Sequence, residues 1–218
     1  MVVLCFAGLL SAQSYLPDGA VINIGNEYLE ENIVRPGDLT DLLEGTISYD
    51  PVNHVLTLTD VLIESSKQVA LGMTCTNMEE GSKQIEVRVV GNNIVRSTYS
   101  SGYGLVLGVG SFVITGMNGS LKLMSNDGFG MYDWADELTI KDGVWVYAGY
   151  SETGCKTAYG ATGSGVMNIN CAKFYAYGTD VTMYGLNPSL NHAVETQGYI
   201  YNLSSEKWTE CIMASRLH

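Results

Sequence analysis

Residues 112–125, FVITGMNGSLKLMS, carry two apolar-alternating runs on either side of a turn at Gly116–Gly119. The same plan returns in ELTIKDGVWVYAG from Glu137 and VMNINCAKFYAYG from Val166, and an earlier copy, IEVRVVGNNIVRS, starts at Ile85. Gly91, Gly116, Gly143 and Ala172 mark equivalent turns, spaced by 25, 27 and 29 residues. A unit this short cannot bury its apolar face alone, so the period predicts stacked coils. Antiparallel sandwiches do not bring one pattern back at this step, and a propeller blade needs about 40 residues. The expected fold is all-β: a single-stranded right-handed parallel β-helix of about five coils, capped at both ends by non-repeating segments. Val89, Ile114, Ile140 and Ile169 are expected to form one inward aliphatic stack.

Composition agrees with a real core. The chain has 218 residues, 46% of them hydrophobic, with 25 Gly to make corners and 14 Tyr to favour half-buried pleated surfaces. Eleven Lys and Arg face 23 Asp and Glu, a net charge of −12. Without a basic cluster, nucleic acid and anionic bilayer surfaces are poor partners. An acidic surface that keeps the protein soluble is the simpler reading of the charge.

Four segments follow from the pattern. Residues 1–12, MVVLCFAGLLSA, read as the remnant of a secretory signal peptide, with an apolar core but no positive start. The run is too short to span a bilayer, which takes about 20 residues. Residues 13–44 form an N-terminal cap, with VINIGNEYL as a strand and DLTDLLEG as a helical turn or loop. Residues 45–186 hold the repeats, opened by a turn at Asp50–His54 and interrupted by a loop over residues 66–84. Asn187–Pro188 closes the series, and residues 187–218 form a C-terminal cap. Cys75, Cys155, Cys171 and Cys211 show no metal-ligand spacing. Cys155 and Cys171 lie on neighbouring units, so a disulfide stays open beside the reading of small buried hydrophobes.

YDPVNHVLTLTDVLI from Tyr49, ITGMNGSLKLMS from Ile114 and ELTIKDGVWVYAG resemble the repeats of secreted bacterial right-handed parallel β-helix proteins of the carbohydrate-binding, adhesin-like kind. The resemblance spans Gly45 to Leu186. It implies a β-helix placed in the periplasm, on the cell surface or outside the cell, with a polysaccharide or surface partner, in some relatives together with calcium.

Chemistry is sparse beside shape. A β-helical lyase needs calcium-ligating carboxylates and a basic residue to take a proton, and a hydrolase needs facing carboxylates. Asp127, Asp133, Asp136 and Asp142 give the richest acidic patch and the best calcium candidates. Asp127, Asp133 and Asp142 sit beside Gly or aromatic residues at corners, where Asp commonly serves a turn, and the nearest cations are Lys122 and Lys141. No catalytic constellation emerges, so the expectation is a non-catalytic binding module for polysaccharide. A polysaccharide lyase or hydrolase and an adhesive protein that recognises other proteins are the alternatives.

Aromatic placement carries the functional content. Alternation sends Val144, Val146 and Ala148 inward and Trp145 and Tyr147 outward; likewise Phe174 and Ala176 point in, and Tyr175 and Tyr177 out. With Leu121 and Leu123 inward, Lys122 and Met124 join the outer face. The expected columns are Lys122/Trp145/Tyr175 and Met124/Tyr147/Tyr177, a carbohydrate platform in which Trp145, Tyr147, Tyr175, Tyr177 and Lys122 touch the ligand.

Overall fold

A computed structural model describes residues 16–81, 83–150, 155–163 and 166–178 in full, and four later strands by backbone placement. The expected leader at residues 1–12 lies outside the described residues. Every described element is a strand, and the rungs stack in parallel as a β-solenoid of about four turns. Among the described residues no helix is long and apolar enough to cross a membrane.

The entry segment is antiparallel. β1 (Val21–Ile24), β2 (Glu27–Tyr28), β3 (Ile33–Val34) and β4 (Leu42–Asp50) lead into β5 (Val55–Ser65). β4 folds back on β5 across the turn at Asp50–His54, where the Asp50 carboxylate accepts from the Val52 and Asn53 amides. DLTDLLEG is therefore the approach to and start of a strand, not a helical turn. Pairing with β5 decides the conformation of Leu42–Gly45 over local preference.

β5 bends at Asp60 (φ 48°), and its two halves begin two limbs of the solenoid. β6 (Val69–Thr74) begins the third. Each following rung repeats the three limbs: β7 (Gln84–Val90), β8 (Asn92–Ser100) and β9 (Tyr103–Leu107); then β10 (Ser111–Thr115), β11 (Ser120–Asn126) and β12 (Phe129–Asp133). β13 (Glu137–Lys141), β14 (Trp145–Ala148) and β15 (Tyr159–Gly163) come next, followed by β16 (Val166–Asn170), β17 (Lys173–Ala176) and β18 (Val181–Tyr184). β6 corrects the expected loop at 66–84, whose first half is a strand buried in the seven-stranded sheet. Parallel pairing continues past Leu186 through β19 (Asn187–Leu190) and β20 (Gln197–Asn202), and β21 (Lys207–Ile212) then turns back antiparallel. At the other end β1 pairs antiparallel with β6, covering an edge that would otherwise template association.

The interior is made of in-register columns. Val87, Ile114, Ile140 and Ile169 stack through consecutive pairings, all buried. Val87 takes the place expected of Val89, which is also buried but one pleat further along. β7 is longer than β10, so aligning on Gly91 and Gly116 slips the frame by two residues; an even slip keeps the face and changes the neighbour. Corners are held by specific polar atoms. Buried Asn93 accepts from the Val61 amide at 3.0 Å and donates to the Val90 and Ser120 carbonyls, tying three rungs. Between the second and third limbs the backbones nearly touch. A Cβ on Gly130 would meet the backbone of Gly149, and one on Gly149 (φ 83°) that of Gly160 and Tyr177. Only glycine fits there.

Candidate functional site

The second limb presents the predicted aromatic face. Its pairing is Ser120↔Trp145↔Lys173 and Lys122↔Tyr147↔Tyr175, so the two columns differ from those expected by a slip of two. The outward assignment of these side chains is unaffected, because side chains alternate with period two. Met124 is the exception: it is fully buried, lying where the second limb turns into the third. The Tyr147 and Tyr175 rings stack at 4.8 Å and 8°, the spacing of adjacent parallel strands, about 4.7–4.9 Å. Tyr150 folds back edge-on to Tyr147 at 6.0 Å and to Tyr177 at 6.3 Å. The Lys122 ammonium lies 4.6 Å from the centre of the Tyr150 ring, and the Lys173 ammonium 4.1 Å from that of Trp145. Burial raises the Tyr147 and Tyr177 phenols further above neutrality, so both stay protonated donors.

The structure thus brings Lys122, Trp145, Tyr147, Tyr175 and Tyr177 together. Their rings do not lie side by side as a flat floor. Each rung carries two of them, Trp145 with Tyr147 and Tyr175 with Tyr177; Tyr147 and Tyr175 stack face to face across the rungs, while Trp145 turns its face to Lys173. Trp145 keeps the most open ring of the group, 37% exposed, with small Ser120 as its neighbour one rung down.

A second aromatic cluster went unread in the sequence. On the third limb Tyr103, Phe129 and Tyr159 stack in register, with centroids 5.4 and 4.6 Å apart. Tyr132 meets Tyr103 and Phe129 edge-on, and Trp134 lies 5.4 Å beyond Tyr132. The available signal was the recurring GYGL, GFGM and AYGA, which places an aromatic before a glycine at residues 103, 129 and 159.

The acidic patch disperses. Asp127 and Asp142 take left-handed φ values of 52° and 60° at corners, as turn residues do. Asp136 is exposed, with its amide on the Gly110 carbonyl. Asp133 points inward, in register with Leu107 and Gly163, and is fully buried. Its Oδ1 accepts from the Ala135 amide at 3.0 Å, its Oδ2 has no partner among the described residues, and burial pushes its carboxyl up to about 6. Among the described residues no three of His, Cys, Asp and Glu converge to hold a metal ion. Cys171 is a free thiol exposed at a corner, so it is not bonded to Cys155, which is buried.

Near the entry cap, the Tyr49 hydroxyl donates to Asp18 Oδ2, and His54 Nδ1 lies 2.6 Å from the same oxygen. Cys75 is close enough for Asp18 to act on it electrostatically. Burial pushes its thiol up to about 12, and Asp18 and Asp136 push in the same direction. A protonated, buried thiol is no nucleophile. The Asp18 cluster instead latches the first described segment to the β4–β5 turn.

Compared with protein-family models, curated proteins and solved structures, the chain matches none. What the structure shows is the parallel β-solenoid itself.

Proposed function

We propose that this chain is a non-catalytic binding module that acts outside the cell on an extended polysaccharide, held along the outward face of the second limb. The observation that carries this reading is the in-register column Lys122/Tyr147/Tyr175, flanked by Trp145, Lys173, Tyr150 and Tyr177. A polymer of similar, hydroxyl-bearing units suits a face that repeats phenols and ammonium groups at the rung spacing of about 4.8 Å. Ring edges and Trp145 supply apolar contact, and polar tips fix orientation. The apolar leader-like start supports a location outside the cell.

Affinity electrophoresis through gels containing a panel of polysaccharides tests the reading. Trp145→Ala is expected to weaken retention at least tenfold, about 1.4 kcal/mol. Its stability cost is small: the ring is partly exposed, and its contact with Lys173 is worth about 0.5–1 kcal/mol. For a chain of this size that corresponds to a melting shift of about 4 °C or less. Retention on none of the gels, or a variant that binds as wild type, overturns the reading.

A further inference from the structure

We propose that the outward face of the third limb is a second ligand surface, one for an uncharged polysaccharide lying along the solenoid axis. It shares with the reading above only the ligand class and uses none of the same residues.

Charge selects the ligand. Strands β6, β9, β12 and β15 read VALGMT, YGLVL, FGMYD and YGATG, and their one charged residue, Asp133, points inward. In a chain with 34 charged side chains this is a neutral face, built of Tyr103, Phe129, Tyr132, Tyr159 and Trp134. An ionic ligand would lose hydration here and meet no counter-charge on these strands.

Hydroxyl groups narrow the choice further. Those of Tyr103, Tyr132 and Tyr159 have no protein partner among the described residues, whereas that of Tyr49 is engaged by Asp18. A purely apolar partner, such as a lipid surface or an aliphatic helix face, would bury three phenols unpaired, at about 1–3 kcal/mol each. A neutral polymer of hydroxyl groups satisfies them instead. Ladder stacking accounts for Phe129, which is sandwiched between two rings at successive rungs. It does not account for Trp134, which stands at the end of the cluster 50% exposed and, among the described rings, touches only Tyr132. The Trp134 ring is the stacking surface for a sugar, and the tyrosine hydroxyls bond the sugar units at neighbouring rungs.

Gels carrying neutral polymers (a mixed-linkage β-glucan, a galactomannan, an arabinoxylan) and charged ones (polygalacturonate, dextran sulfate) separate the outcomes. Wild type is expected to be retarded by at least one neutral polymer. Trp134→Ala should reduce that retardation at least tenfold, and Tyr132→Phe, which removes only a hydroxyl and leaves the fold intact, should reduce it severalfold. Met117→Ala, at an exposed corner outside both aromatic faces, should leave it unchanged. No retardation by any neutral polymer overturns the proposal, as does retardation untouched by both third-limb variants. Loss caused by Trp145→Ala alone moves the ligand to the second limb; the proposal then fails while the function proposed above stands. Light scattering adds one further arm: a wild-type chain that self-associates and a Trp134→Ala chain that does not would make a second copy the occupant, and the proposal fails.

Discussion

Ile140→Asp is expected to abolish the folded state. Ile140 is fully buried, with Ile114 below and Ile169 above it in register, so a carboxylate there finds no partner. Losing the Ile side chain removes about 1.5–3 kcal/mol of burial, and the unpaired charge adds several more. A domain whose whole stability is about 5–15 kcal/mol does not absorb that. Because coils hold only their neighbours, the break falls in the middle of the stack and divides it. Thr139→Asp is the matched control: its side chain leaves the same strand on the outer face, and a surface change there costs about 0.5 kcal/mol. Far-ultraviolet circular dichroism and urea unfolding distinguish the two. An Ile140→Asp chain that melts within a few degrees of wild type refutes the column assignment.

The comparison of these two neighbouring residues also shows what a repeat makes readable. Alternation and a period of 25 to 29 residues assign inside and outside for Leu121, Val146, Phe174 and their outward neighbours, and each of those three is buried. Neither property fixes which residues stack. Shifting a strand by two leaves its faces unchanged, so Trp145 falls beside Lys173 and Ser120 while Tyr147 joins Lys122 and Tyr175. Pairwise backbone registration decides this, and turn length sets the registration. The third limb was harder to see for a different reason. In YGLVL and FGMYD a glycine at the second position breaks the alternation, leaving residues one and four outward and three and five inward, and YGATG carries the same glycine after its outward Tyr159. Those glycines are required by the close approach at Gly130 and Gly149, so the feature that lets the corner close also hides the strand. The candidate site divides along the same line. The second-limb aromatics lie in strongly alternating strands and were legible, and the third-limb aromatics were not.

Asp133 owes its misreading to that same break, and it yields the second large prediction. Between Tyr132 and Trp134 it has the look of a corner aspartate, yet the strand turns it into the interior, in register with Gly163. Burial raises its carboxyl from 3.8 to about 6, and the single bond from the Ala135 amide opposes this only in part. Between those two values the folded chain keeps a proton that the unfolded chain releases. Stability from this group is therefore complete below about pH 4, declines as pH rises through the window, and levels off above about pH 6. A separation of about two pH units corresponds to about 3 kcal/mol. Asp133→Asn keeps an oxygen for the Ala135 amide and cannot ionise. Its buried NH2 group carries a fixed cost, the same at every pH. The stability of Asp133→Asn minus that of wild type should therefore rise by up to about 3 kcal/mol from pH 4 to pH 7, whatever its starting value. Urea unfolding of both chains at half-unit steps measures that difference directly. Two parallel curves would mean that Asp133 ionises without penalty, so that its Oδ2 reaches water or a partner and the inward placement of the FGMYD strand is wrong.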